Sequence, residues 1–130
     1  MSARRKLLLI DDDRALTEYL QLKLARRYDV VVLHEPQQAL AAVRRERPDL
    51  VLCDIEMPGL DGYGVSRTLA ASPDTASVAL MFLTASYSAA ELLARGGAIE
   101  GRPGQSKLAP IDAIVRRIDA EVDAAFRRTR

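Results

Sequence analysis

Three consecutive aspartates, Asp11-Asp12-Asp13, follow the apolar run Leu7-Leu8-Leu9-Ile10, and a fourth, Asp54, ends a second such run, Leu50-Val51-Leu52-Cys53. Thr84 closes a third run, and Lys107 stands just ahead of the last helical stretch. Carboxylates brought close together raise one another's pKa and repel. Beside a hydroxyl and an ammonium, they make chemical sense where a cation and an anion share one crevice. Mg2+ suits such a place, since it takes oxygen ligands octahedrally and is usually held by one or two carboxylates plus phosphate oxygens. Lys107 and Thr84 would then meet phosphoryl oxygens as a charge and a hydrogen-bond donor. Taken singly, each residue has an ordinary reading: a strand-end carboxylate, a helix cap, a strand threonine, an exposed lysine. Only their convergence would be informative.

Convergence depends on the elements between them. Leu7–Ile10, Val30–Leu33, Leu50–Cys53 and Val78–Leu83 are nearly continuous in apolar residues, the pattern of strands covered on both faces. Helical periodicity separates them. Leu16, Tyr19, Leu20 and Leu24 share one face, then Ala39, Leu40 and Val43, then Val65 and Leu69, then a short stretch around Glu91, Leu92 and Arg95. The last helix is the clearest, with Ile111, Ile114, Val115, Ile118, Val122 and Phe126 at spacings of three and four and Pro110 in its first turn. Strand and helix in alternation predict an α/β domain with a parallel sheet and helices on both faces. A fifth strand is needed before the last helix, yet Gly101–Ser106 has poor strand composition and Ala98–Ser106 reads as a long glycine-rich loop. In such a sheet the loops after the strand ends share one edge, where ligands bind. That edge would gather Asp11, Asp12, Asp54, Thr84 and Lys107.

Bulk composition excludes several classes. The 130 residues form one expected domain, with a core over about 6–122 and a basic helix end over 123–130. Net charge is +1, so no global field favours nucleic acid, and no apolar run approaches the ~20 residues that cross a bilayer. LLLI after MSARRK is too short for a signal-peptide core, and the single cysteine, Cys53, allows no intrachain disulfide. A cytoplasmic location is expected. Cys53 reads as a small buried hydrophobe, His34 as a surface residue, and Arg127, Arg128 and Arg130 as a solvated helix end. There is no Walker loop or Gly-x-Gly-x-x-Gly run and no helix-turn-helix after the last helix. DNA binding is therefore not expected of this segment.

IDDD at 10–13, DLVLCDIEMPGLDG at 49–62, LTA at 83–85 and SK at 106–107 resemble the receiver domain of two-component response regulators. The resemblance runs from about Lys6 to Val122. It implies a flavodoxin-like doubly wound fold with five parallel strands ordered 2-1-3-4-5 and five helices. It implies Asp54 as acceptor of a phosphoryl group from a histidine kinase or histidine phosphotransfer protein. Asp12, Asp54 and the backbone carbonyl of Glu56 would ligate Mg2+, and Asp11 would hold a metal-bound water. Thr84 and Lys107 would contact the phosphoryl group, Ala85 would leave it room, and Asp13 would cap the first helix. No enzymatic activity beyond its own phosphotransfer and slow dephosphorylation is implied.

Three departures follow Thr84. Leu108 stands where the family usually has proline, which predicts a trans bond after Lys107 or some compensating strain, since a non-proline cis bond costs about 2.5–4 kcal/mol. Gly104 stands where the family usually has a reporting aromatic, and Tyr87 is the nearest ring in sequence. The fourth helix is short, ending at Gly96-Gly97, and a second register would put Arg102 or no residue in the lysine's place. Lys107 is preferred, because Ser-Lys then leads into the last helix at the family's spacing. Two other functions fit parts of the sequence. One is a receiver-like scaffold that signals independently of phosphorylation. The other is a haloacid-dehalogenase-type phosphohydrolase with Asp11 as nucleophile, which leaves Asp54 and its Met-Pro-Gly loop without a role.

Overall fold

The computed structural model describes residues 4–128; Met1–Ala3, Thr129 and Arg130, the last of the expected basic helix end, lie outside them. Strands β1 (Lys6–Ile10), β2 (Asp29–Leu33), β3 (Leu50–Cys53) and β4 (Leu80–Thr84) alternate with helices α1 (Arg14–Leu24), α2 (Ala39–Glu46) and α3 (Gly62–Ala71). Then come α4 (Ala89–Ala94), the short β5 (Ala98–Ile99), β6 (Arg102–Ser106) and α5 (Ile111–Arg128). Sheet order is β2-β1-β3-β4-β6-β5, parallel except for the β5–β6 pair.

The expected sheet is therefore present, with one correction. The parallel set β2-β1-β3-β4-β6 reproduces the order 2-1-3-4-5, but among the described residues the sheet has six strands, because Ala98–Ser106 is a hairpin rather than a loop. Ile99 pairs with Arg102, so only Glu100 and Gly101 form the turn, both left-handed at φ 47° and 79°. Two consecutive left-handed residues match the twist of antiparallel strands. Gly101, which argued against a strand, supplies half of this turn instead, while Gly104 lies within β6 opposite Phe82, so the second strand gains a parallel partner in β4.

Strands buried on both faces need two helical layers. Alternate residues Leu8, Ile10, Val51, Cys53 and Phe82 pack against α2, α3 and α4, while Leu7, Leu9, Leu50, Leu52 and Met81 pack against α1 and α5. Leu20 and Leu24 of α1 and Ile114, Ile118 and Val122 of α5 are buried, each worth about 1.5–3 kcal/mol relative to exposure. Two face residues lie further out: Tyr19 is 45% exposed, and Phe126 is 38% exposed beneath the Arg5 guanidinium.

Local chemistry sets where the helices begin and end. Asp13, Asp61 and Ser88 cap α1, α3 and α4, the last through a full capping box with Glu91. Arg47 is left-handed at the end of α2, and Pro48 after it cannot continue the helix, which releases the chain into β3 and Asp54. Pro110 precedes α5, its carbonyl accepting from the amides of Ala113 and Ile114.

Candidate functional site

Strand register is what brings the carboxylates together. Ile10 lies opposite Cys53, so the next residues, Asp11 and Asp54, leave two adjacent central strands at the same level. The Asp54 amide donates to the Ile10 carbonyl at 2.9 Å, and the Asp11 amide to the Leu33 carbonyl at 3.1 Å. β2 lies on one side of β1 and β3 on the other, so this pair sits where the strand order reverses, the place where open α/β sheets bind ligands. Gly62 seals the floor: a Cβ there would come within 2.2 Å of the Asp54 carbonyl oxygen, so the Met-Pro-Gly-x-Asp-Gly turn closes only with glycine.

On the far side, Thr84 pairs with Ser106, and the Thr84 carbonyl accepts from the Lys107 amide at 2.9 Å. Lys107 thereby enters the same pocket. Its Nζ lies 2.6 Å from Asp11 Oδ2 and 3.3 Å from Asp54 Oδ1, with the side chain only 13% exposed. Arg102, the other register's candidate, is elsewhere, donating to Ser66 Oγ and the Val78 carbonyl. All described peptide bonds are trans, including Lys107–Leu108. The buried Ser106 hydroxyl takes the Leu108 amide at 3.1 Å and so shapes the turn after the lysine.

Asp11, Asp12 and Asp54 each contribute a carboxylate oxygen to a group within 4.8 Å of one another, a donor set that fits a hard divalent cation. Asp11 and Asp54 are buried and Asp12 is exposed, so a cation seated there would remain open to solvent on one side. The pocket of about 300 Å3 is lined by these three with Asp13, Glu56, Ala85, Ser86 and Lys107. Burial and the charge of Asp11 push the Asp54 carboxyl above the usual range, against the pull of Lys107 and the Ile55 amide. Burial alone would lower Lys107, but its hydrogen bond to Asp11 and the two carboxylate charges reverse this and raise it.

The remaining expected residues take varied places. Asp13 caps α1, its Oδ1 accepting from Leu16 at 3.1 Å. Thr84 is fully buried and not among the residues lining the pocket, its Oγ1 accepting from the Ser86 amide at 2.9 Å. Glu56 lines the pocket and accepts from the Ser86 hydroxyl at 2.9 Å. Cys53 is buried, and burial pushes its thiol up, away from reactivity. His34 corrects its surface reading: it is half-buried, and its Nδ1 donates to the Asp11 carbonyl at 3.0 Å. No single-sequence signal marked His34, whereas Ser106 stands in the Ser-Lys pair before the last helix and Ser86 directly follows the LTA motif.

The profile of the response regulator receiver domain matches residues 7–99, more than two-thirds of the chain. This chain belongs to that family. As a receiver domain it falls within two-component signalling. The DNA-binding response regulator MtrA of Mycolicibacterium paratuberculosis is 42% identical over 83 residues, 63% of this chain and 36% of that protein. The response regulator PleD of Caulobacter vibrioides is 38% identical over 102 residues, 78% of this receiver and 21% of PleD. The BeF3-activated N-terminal receiver domain of Klebsiella pneumoniae RstA superposes with a TM-score of 0.74 at 26% identity, covering 91% of this chain and 98% of that one. The receiver thus spans about a third of MtrA's length and a fifth of PleD's. The family match stops at Ile99, before β6 and Lys107, so the segment where the chain departs from the pattern is also where the profile ends. Among the described residues, no helix is long and apolar enough to cross a membrane.

Proposed function

We propose that this receiver is a phosphorylation-driven switch with Asp54 as the acceptor. The observation that supports this most is the meeting of oxygens from Asp11, Asp12 and Asp54 within 4.8 Å beside the Lys107 ammonium. Asp11, Asp12, Asp54 and the backbone carbonyl of Glu56 would hold Mg2+, which when bound neutralises charge on an incoming phosphoryl group. In the transfer an Asp54 oxygen attacks the phosphorus of a phosphohistidine. The O–P bond forms as the N–P bond breaks, and the imidazole leaves with the electron pair and takes up a proton. Lys107 meets a phosphoryl oxygen with its charge. The Thr84 hydroxyl, although it accepts from Ser86, keeps its own hydrogen to donate.

The donor is a histidine kinase or histidine phosphotransfer protein, the setting is the cytoplasm, and residues 1–130 act as a single receiver unit. No reaction beyond the chain's own phosphotransfer and hydrolysis is assigned to it. Phosphohydrolase chemistry at Asp11 lacks support, because Asp11 is 2% exposed, with one oxygen accepting from the Asp13 amide and the other bound to Lys107. The deciding experiment incubates the purified chain with acetyl phosphate and Mg2+ and reads intact mass. One phosphoryl group is expected, lost in Asp54→Asn and on chelation; an unchanged mass in the wild type overturns the proposal.

One observation favours a second reading, a scaffold recognised whatever its phosphorylation state. Gly104 has no room for a reporting aromatic, since a Cβ there would lie 2.7 Å from Ile99 Cδ1 and 3.1 Å from Leu92 Cδ2. Partner binding indifferent to Asp54→Ala would select it.

A further inference from the structure

Beside the acid pocket lies a second, larger cleft of about 720 Å3, between the turn after β3 and the turn after β4. Much of its wall is apolar and aromatic, formed by Ile55, Met57, Pro58, Tyr63 and Tyr87. The two tyrosine hydroxyls are 3.5 Å apart, and the Tyr63 ring packs edge-on against Phe82 of the core, 5.7 Å between centroids. Arg95 lies over the outer face of Tyr87. The rim carries the exposed carboxylates of Glu56 and Asp61. Such a cleft, with an aromatic anchor and a negative rim, is complementary to an apolar side chain flanked by cations.

The cleft is joined to the acid pocket. Glu56 and Ser86 wall both cavities and are hydrogen-bonded to each other. The Ser86 amide in turn holds Thr84 Oγ1, and Tyr87 is the next residue along the chain. One serine thus bonds both to Thr84 and to Glu56, which walls the two cavities.

We propose that this cleft is a docking groove for a partner segment that presents an apolar side chain next to lysine or arginine, and that the state of the acid pocket sets its affinity through Ser86. The coupling half of this rests on the phosphorylation reading above; the docking half does not. By linkage, a change at Asp54 that alters partner affinity must be matched by an equal effect of the partner on the pocket.

The test uses the whole chain in saturating Mg2+. One fluorescein-labelled peptide carries a Leu-Phe pair flanked by lysines, and a control peptide carries glutamates in their place. Anisotropy is expected to show the lysine peptide binding about tenfold or more tighter, and Tyr87→Ala is expected to lose about tenfold of that affinity. Tyr87 lies in a half-exposed turn. Asp61→Asn is the second variant, because asparagine still caps α3 while the rim charge is lost. It is expected to weaken the lysine peptide and spare the glutamate one. Acetyl phosphate is expected to shift the lysine peptide's affinity about fivefold or more. Equal binding of the two peptides, or a Tyr87→Ala chain that binds as well as wild type, overturns the groove. Intact mass on the same samples separates the two proposals. A phosphoryl group gained without any change in peptide affinity overturns the coupling alone, and none gained overturns the assigned function while the peptide comparison still decides the groove.

Discussion

Asp54 carries a charge that its surroundings resist. Burial and the neighbouring Asp11 raise its pKa, and a single lysine balances two carboxylates. A pKa raised in the native state means that the folded chain takes up the proton more readily than the unfolded one. Ionised Asp54 therefore weakens the metal-free fold, an effect absent below the unfolded pKa and complete above the native one. Asp54→Asn should melt higher than wild type near pH 7.5 without metal, by a few degrees, since 1 kcal/mol moves a chain of this size by about 4 °C. The gap should close as pH falls through the raised native pKa towards the ordinary carboxylate range. Thermal melts at stepped pH check this, and a variant that melts lower at neutral pH would contradict it. The acidic residues were legible in the sequence because each ends an apolar run. The exchange of partners among them was not: Lys107 bonding to Asp11, Thr84 facing Ser86 and His34 reaching the Asp11 carbonyl all depend on side-chain directions that no spacing encodes.

At the scale of elements, the β5–β6 hairpin is where expectation and structure part. Strand propensity is a measure of fit to a pleated, packed surface, and β6 with its Pro103 and Gly104 scores poorly by that measure. It forms nonetheless because β4 offers an unpaired edge and because Ile99 and Leu92 fill the space above Gly104. Gly104→Tyr should therefore not restore a switch residue. Overpacking of this kind typically costs ~1–3 kcal/mol, and Ile99→Ala in the same chain should recover part of it by vacating the volume the ring needs. Urea unfolding of both variants measures this; a Gly104→Tyr chain as stable as wild type would show the hairpin to be looser than its contacts indicate. The cap of α1 was readable beforehand in Asp13, while the caps of α3 and α4, Asp61 and Ser88, were recognised only in the structure.

Across the whole molecule, two helical layers hold a sheet whose centre ends in three carboxylates that one lysine only partly offsets. A cation that binds this edge and not the unfolded chain must stabilise the entire fold by mass action, about 2.7 kcal/mol at a hundredfold excess over Kd. Mg2+ should accordingly raise the melting temperature of wild type by several degrees and that of Asp54→Asn far less, as scanning fluorimetry with and without chelator would show. An equal rise in both would place the cation elsewhere. By itself the sequence determined the alternation of strands and helices, the two-faced burial of the strands, and which residues end them, because apolar periodicity and helix caps are local properties of the chain. Only the tertiary structure decided that Ala98–Ser106 folds into a hairpin, that Lys107 rather than Arg102 reaches the acids, and that a tyrosine-lined cleft shares Glu56 and Ser86 with their pocket. Each of these is set by contacts between segments far apart in the chain, where the free energy lies in packing and charge pairing that no single stretch of residues contains.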